Sequence, residues 1–186
     1  MKPKIYITRM LPRAGLDLLA EEYEVEVNPH DRVATREELA AGIKGKDALL
    51  SLLTDTVDAE VMDAEPRLKV IANYAVGFNN IDVAAATERG ILVTNTPGVL
   101  TETTADLAFA LLMACARRVV EADGFMRAGK YEGWGPMLFL GRDIHGKTLG
   151  IVGFGRIGQA LAHRGAGFNM KILYHDAIRA PEELEK

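Results

Sequence analysis

Gly153-Phe154-Gly155-Arg156-Ile157-Gly158 follows directly on the apolar run Leu149-Gly150-Ile151-Val152. Glycines at that spacing, between a strand-like run and a helix start, suit the grip on a dinucleotide pyrophosphate. Gly153 permits a tight turn, and Gly155 removes the side chain that would hold the backbone away from phosphate. Gly158 lets the helix approach the strand. The helix start adds unpaired N–H groups and a partial positive charge. A glycine turn alone is common, so a second feature matters: Lys171-Ile172-Leu173-Tyr174-His175 reads as a strand and ends in Asp176. That acid falls close to the ~20-residue spacing at which a carboxylate meets an adenosine ribose. Asp176 also has a plain reading as a turn residue ahead of Pro181. Arg179 could pair with the 2′-phosphate of NADP, but a carboxylate at the strand end repels that phosphate, so NAD is expected over NADP.

The elements that must position this turn are legible along the whole chain. Lys4 to Thr8 reads as a strand, and Ala14 to Glu22 as a helix with Leu16 and Leu19 inward. Tyr23 to Asn28 alternates like a half-exposed strand. Thr35-Arg36-Glu37-Glu38 matches a capping box opening a helix that ends near Gly42 to Gly45. Ala48 to Leu53 has strand length, Asp58 caps a short helix stopping before Pro66, and Leu68 to Ala72 is the next strand. Asp82 starts a further helix, Gly90 closes it, and Ile91 to Thr94 is strand-like. Strands separated by helices imply an α/β, parallel, doubly wound domain. Asn95-Thr96-Pro97-Gly98 is a turn cluster, which divides the chain into residues 1–98 and 99–186. Thr101 to Val120 reads as one long helix, apolar nearly all round, which must be buried on most sides, as between domains or subunits. Cys115 is expected to be a small buried apolar residue of that helix. Arg127 to Asp143 is a long connection, and its Trp134 has the character of an interface anchor.

Composition narrows the function classes. The 186 residues are 48% hydrophobic, enough for a sizeable core, and carry 22 basic against 26 acidic residues for a net charge of −4. That balance gives no electrostatic case for nucleic acid. Arg117-Arg118 is the only basic pair that stands out, at a helix end where cations suit the dipole. The longest apolar run, Leu107 to Ala116, is too short to cross a bilayer, and the start leads into a strand, not a signal peptide. With one cysteine a disulfide framework is excluded, and a cytoplasmic protein is expected. His30, His145, His163 and His175 show no metal-ligand spacing, so no metal site is expected.

Three further segments make the pattern more specific than the glycine turn alone. Asn73-Tyr74-Ala75-Val76-Gly77-Phe78-Asn79-Asn80-Ile81-Asp82, then Val93-Thr94-Asn95-Thr96-Pro97, then Thr104-Ala105-Asp106-Leu107-Ala108 precede Gly153 to Gly158 in order. This series resembles the D-isomer-specific 2-hydroxyacid dehydrogenases, most nearly their glyoxylate/hydroxypyruvate reductase branch, and the likeness covers essentially the whole chain. It implies a flavodoxin-like substrate domain interrupted by a Rossmann domain, with an active site in the cleft between them. The implied reaction reduces a small 2-oxo acid with a reduced nicotinamide, or oxidises the D-2-hydroxy acid. The likeness places the backbone N–H groups of Val76 and Gly77 on the substrate carboxylate, Val76 also near the nicotinamide, and Leu53 beside the substrate. It places Thr104 against the cofactor, Gly153, Phe154, Gly155, Arg156, Ile157 and Gly158 around the pyrophosphate, and Asp176 on the ribose hydroxyls. It also implies a homodimer, built through the apolar helix and the Trp134 loop.

The same family supplies its catalytic arginine, glutamate and histidine from segments beyond the second Rossmann strand. No residue here occupies a matching position: His145 precedes the glycine turn and His163 lies on the helix after it. The catalytic set is therefore expected to be none within these residues, and the chain is expected to be the N-terminal, binding part of a longer enzyme, inactive alone. The alternative is a non-catalytic NAD-binding or dimerisation module, sensor-like or corepressor-like, for which the missing triad is no defect.

Overall fold

Local signals set most element boundaries in the first half of the chain. The Thr35 hydroxyl accepts the Glu38 N–H at 3.3 Å while the Glu38 carboxylate accepts the Thr35 N–H at 2.8 Å, the reciprocal pair that starts a helix. Asp58 accepts from the Val61 N–H and Asp82 from the Ala85 N–H, starting two more. Gly90, at φ 66°, ends the last of these in the left-handed conformation that glycine adopts without strain. The computed structural model describes residues 2–185, and the chain divides into two compact units, Met1–Pro97 and Gly98–Lys186.

The first unit runs β1 (Lys4–Ile7), α1 (Arg13–Glu22), β2 (Glu24–Val27), α2 (Arg36–Gly42), β3 (Ala48–Leu52), α3 (Ala59–Asp63), β4 (Val70–Tyr74), α4 (Val83–Glu88) and β5 (Leu92–Thr94). All five strands are parallel, in the order β2-β1-β3-β4-β5. That is the flavodoxin-like order, in which the chain moves outward from β1 to β2 and then crosses back to β3. Ile7, Leu49 and Ile71 on the central strands are fully buried, with Leu39, Ile43, Val57, Val61 and Met62 packed around them. Each such side chain stabilises the fold by about 1.5–3 kcal/mol relative to exposure. Helix α1 contributes less, since Leu16 and Leu19 are only half-buried.

In the second unit come α5 (Thr101–Ala116), α6 (Val119–Arg127), β6 (Thr148–Val152), α7 (Arg156–Ala166) and β7 (Lys171–His175), then a 3-10 turn at Glu182–Leu184. Strands β6 and β7 pair in parallel. Leu149, Ile151 and Phe154 form the buried centre, flanked by Leu112, Leu161, Met170, Ile172 and Tyr174. Helix α5 is fastened to α7 by Arg164, whose guanidinium bonds the Asp106 and Glu102 carboxylates and the Ala160 carbonyl. Phe109 packs on Phe168 with ring centroids 5.0 Å apart.

Two expectations for this region are corrected. Thr101 to Val120 is not one helix: α5 ends at Ala116, and Arg118 takes the left-handed conformation at φ 55° before α6 begins. The break is held from a distance, because the Arg142 N–H bonds the Ala116 carbonyl at 2.8 Å and the Arg118 guanidinium lies 5.1 Å over the Phe139 ring. Cys115 is exposed, not buried, and Leu107 and Leu111 on the same helical stripe are 61% and 57% exposed. Within this chain α5 is covered mainly at Ala105 and Phe109. No helix among the described residues is long and apolar enough to cross a membrane.

Candidate functional site

Strands β3 and β4 lie side by side with Ser51 opposite Asn73 and Leu52 opposite Tyr74, so their carboxyl ends bring Leu53 and the segment 75–77 to one edge of the first unit. Leu53 is 66% exposed there. Past β4 the backbone turns sharply, the Ala75 N–H bonding the Asn73 carbonyl at 2.8 Å. Three consecutive carbonyls are then drawn inward: Ala75 accepts the Thr96 N–H at 2.8 Å, Val76 the Asn95 amide at 2.7 Å, and Gly77 the Asn73 amide at 2.8 Å. In a trans peptide the C=O of one residue and the N–H of the next point in opposite directions. Clamping the Ala75 and Val76 carbonyls therefore turns the Val76 and Gly77 N–H groups the other way, and no acceptor among the described residues takes either. Two outward-facing amide donors on an exposed edge are what an anionic carboxylate requires.

Beneath this edge lies a buried polar network. Ser51 and Asp55 are fully buried and Asn73 nearly so. The Ser51 hydroxyl donates to the Asn73 side-chain amide oxygen, Oδ1, at 3.0 Å. Asn73 donates to the Asn80 amide oxygen at 3.0 Å, and Asn80 donates to the Leu52 and Asp55 carbonyls at 3.1 and 3.0 Å. One Asp55 carboxylate oxygen accepts from the Thr8 hydroxyl and the Leu52 N–H, while Oδ1 has no partner among the described residues. Buried polar groups are normally paired, and here the pairing ties the end of β3 to the loop after β4. Sequence reasoning had singled out the motif from Asn73 to Asp82 without giving Asn73, Asn80, Asn95 or Asp55 a role. The signal was available in Asn73 and Ser51, polar residues within otherwise apolar strands.

The second unit holds the glycine turn. Gly153 has φ 93°, a conformation other residues rarely adopt, and a Cβ on Gly158 would collide with the Gly153 carbonyl. Gly155, by contrast, faces open space: a Cβ there would meet nothing within 4 Å. No acceptor among the described residues takes the Gly155 N–H, and the Arg156 and Ile157 N–H groups belong to the first turn of α7, where no intrahelical acceptor exists. An open glycine, free N–H groups and the helix dipole fit a pyrophosphate. Phe154 is buried and stacks on Tyr174 with centroids 4.3 Å apart, anchoring the turn.

Asp176 is exposed at the end of β7, and its carboxylate accepts the Phe154 N–H at 2.6 Å and the Ala177 N–H at 2.7 Å. These bonds, Phe154 first, hold its carboxyl below the usual carboxylate range. An ionised acid is thus fixed to the glycine turn. Thr104 is exposed on α5, whose attachment to α7 runs through Arg164. A cavity of about 500 Å³ lies along the flank of α7 and β7, lined by Phe154, Ala162, His163, Ile172, Tyr174 and Leu184, and leaves Gly155 and Arg156 outside its lining.

Comparison with known proteins bears on both units. Residues 5–172 match the family described as D-isomer specific 2-hydroxyacid dehydrogenase, catalytic domain. The chain is 53% identical over 190 residues to a glyoxylate reductase of Thermococcus gammatolerans, covering 100% of this chain and 57% of that relative. The chain thus spans a little over half the length of the curated relatives it matches. Among solved structures it is similar to a 2-hydroxyacid dehydrogenase from Ketogulonicigenium vulgare, with 34% identity, a TM-score of 0.83, and coverage of 98% of this chain and 57% of that one. A D-lactate dehydrogenase from Aquifex aeolicus, complexed with NAD and lactic acid, shares 25% identity at a TM-score of 0.77, covering 98% of this chain and 53% of that one.

Proposed function

The chain belongs to the D-isomer specific 2-hydroxyacid dehydrogenase family, and we propose that the full-length protein reduces a small 2-oxo acid, glyoxylate or hydroxypyruvate, to the D-2-hydroxy acid with NADH. In this reading the first unit is the substrate domain and the second a partial NAD-binding domain. The observation that carries it is the pair of Val76 and Gly77 N–H groups turned outward by clamped carbonyls, a ready seat for the substrate carboxylate. Leu53, exposed at the neighbouring strand end, gives the substrate's carbon side an apolar wall. Gly153 to Gly158 would hold the cofactor pyrophosphate, Asp176 the ribose hydroxyls, and Thr104 would touch the cofactor. A bound reduced nicotinamide supplies the hydride. This chain's own residues bind and orient: two N–H groups fix the carboxylate, so that the reacting carbon is held in one geometry.

NAD is preferred over NADP because an ionised Asp176 repels a 2′-phosphate. The proton for the new hydroxyl is assigned to no residue of this span, so residues 1–186 alone are expected not to turn over substrate. The exposed stripe of Leu107, Leu111 and Cys115, with Trp134 at 82% exposure, supports a homodimer with Trp134 at or near the contact. A cytoplasmic location suits a chain with a single, unpaired thiol.

Steady-state reduction of glyoxylate and hydroxypyruvate by the full-length protein, with NADH and NADPH in parallel, tests the reading. NADH-favoured turnover is expected, with Asp176→Ala eroding the preference. Absence of turnover with both oxo acids would sink it, and an NADPH preference untouched by Asp176→Ala would refute the role of that residue.

A further inference from the structure

We propose that Asn73 and Asn80 act as one positioning unit for the substrate carboxylate seat. The inference rests on the reading of Val76 and Gly77 given above and extends it to residues that touch no ligand. Their two amides face each other: Asn73 Nδ2 donates to Asn80 Oδ1 at 3.0 Å, while Asn80 Nδ2, whose two hydrogens go to the Leu52 and Asp55 carbonyls, lies 3.3 Å from Asn73 Oδ1. Each then reaches one of the segments that form the seat. Asn73 donates to the Gly77 carbonyl, and Asn80 to the carbonyls of Leu52 and Asp55, which bracket Leu53. The Asn80 carbonyl accepts the Val57 N–H at 2.9 Å, so the loop after β3 is held as well.

The arrangement does more than satisfy buried groups. Gly77 has no side chain to limit its backbone, so nothing local fixes its peptide planes. The Asn73 bond fixes the plane that follows Gly77, and the Asn95 bond fixes the plane that precedes it. The Ser51 hydroxyl in turn sets the Asn73 amide, by donating to its oxygen. Removing either amide frees Gly77 to rotate and separates it from Leu53, while the second unit's glycine turn is untouched.

Asn73→Ala, Asn80→Ala and the double variant of the full-length protein, assayed for glyoxylate reduction, test this. Each single change is expected to raise KM for glyoxylate about tenfold, the equivalent of a lost hydrogen bond, with KM for NADH unchanged. The double variant is expected to be no worse than either single one, because the pair acts as a unit. Thr35→Ala, which weakens the distant cap of α2, controls for simple destabilisation and should leave KM for glyoxylate alone. Asn80→Ser serves if the alanine variant does not fold. An unchanged KM in both single variants, or effects that multiply in the double, would overturn the proposal. If the wild-type protein turns over neither oxo acid, the functional reading fails, and amide exchange still decides this one. Exchange of the hydrogen-bonded Ala75, Thr96 and Val57 amides, which tie this segment to the sheet, should accelerate in Asn80→Ala and not in Thr35→Ala; equal rates in all three proteins would refute it.

Discussion

Ile71, at the centre of the five-stranded sheet, is fully buried, whereas Leu173, on a strand of the same parallel kind in the second unit, is 52% exposed, and Val152, two residues beyond its partner Gly150 on the paired strand, is 89% exposed. Both strands have apolar centres, Val70-Ile71-Ala72 in one and Ile172-Leu173-Tyr174 in the other. Parallel strands are apolar because they expect cover on both faces and neighbours on both edges. The first unit meets that expectation from its own helices. In the second unit, among the described residues, two strands share one helix face and a small core, and much apolar surface stays open. Apolarity is therefore a property written in a strand's sequence, while burial depends on what else is folded around it.

The sharpest break of this comparison is amide exchange in the 186-residue span. The amides of β3 and β4 should exchange only with unfolding of the first unit, and those of β6 and β7 at least about a thousandfold faster, since a two-stranded sheet is marginal without further cover. Similar protection in both sheets, measured by exchange and mass spectrometry, would show that the second unit needs nothing more.

Core truncation gives the next largest effect. Ile71→Ala should cost about 2–5 kcal/mol, because its closed surroundings cannot collapse on the cavity. Leu149→Ala should cost less, since a small and partly open core relaxes more readily. Denaturant unfolding followed separately in the two units would reveal equal losses, if the contrast is wrong.

Within the second unit, two glycines separate packing from binding. Gly158→Ala drives a Cβ into the Gly153 carbonyl and should destabilise by about 1–3 kcal/mol, weakening NADH binding with it. Gly155→Ala meets nothing in the fold, so melting should be unchanged while NADH titration by fluorescence shows lost affinity. A Gly155→Ala protein that binds NADH normally would mean that the pyrophosphate does not approach this backbone.

Those glycines were legible in the sequence, as were the caps at Thr35, Asp58 and Asp82 and the parallel α/β order of the first unit. Each follows from a rule spanning a few residues: a side chain reaching three positions along, a backbone angle that one residue type accepts, a period of two or 3.6. The break after Ala116 was not legible, because the bond that stabilises it comes from Arg142, far along a loop without periodicity. Cys115 misled for a related reason. An apolar helix announces that it will be covered but not by what, and here the chain itself covers only one side. The Asn73–Asn80 pair escaped because its meaning is tertiary: two amides in one motif matter only once the β3–β4 register places Leu52 beside them.

The smallest expected effect compares two glutamates. Glu38 accepts two bonds from Arg32, at 2.8 and 2.5 Å, and the Thr35 N–H, which bring its pKa from 4.5 to about 2. Glu185 accepts two bonds from Arg179, at 3.0 and 2.6 Å, and the Tyr174 hydroxyl, and is likewise brought to about 2. Both shifts are downward, so each interaction contributes fully above the unfolded value near 4.5 and is lost as pH falls through about 2. The arginine of each pair is more than half exposed, so solvent screens both interactions and keeps the contribution to stability slight. Their titrations nevertheless report local opening, because a glutamate binds protons at its ordinary affinity whenever its segment is released. The more often that happens, the further its measured pKa climbs back toward 4.5. Glu38 rests on the closed first unit and should titrate near 2. Glu185 rests on the second unit's 3-10 turn and should titrate measurably higher in the 186-residue span. Carboxyl-carbon NMR from pH 6 to 1.5 reads both at once, and two equal values near 2 would show the second unit to be as firmly closed as the first.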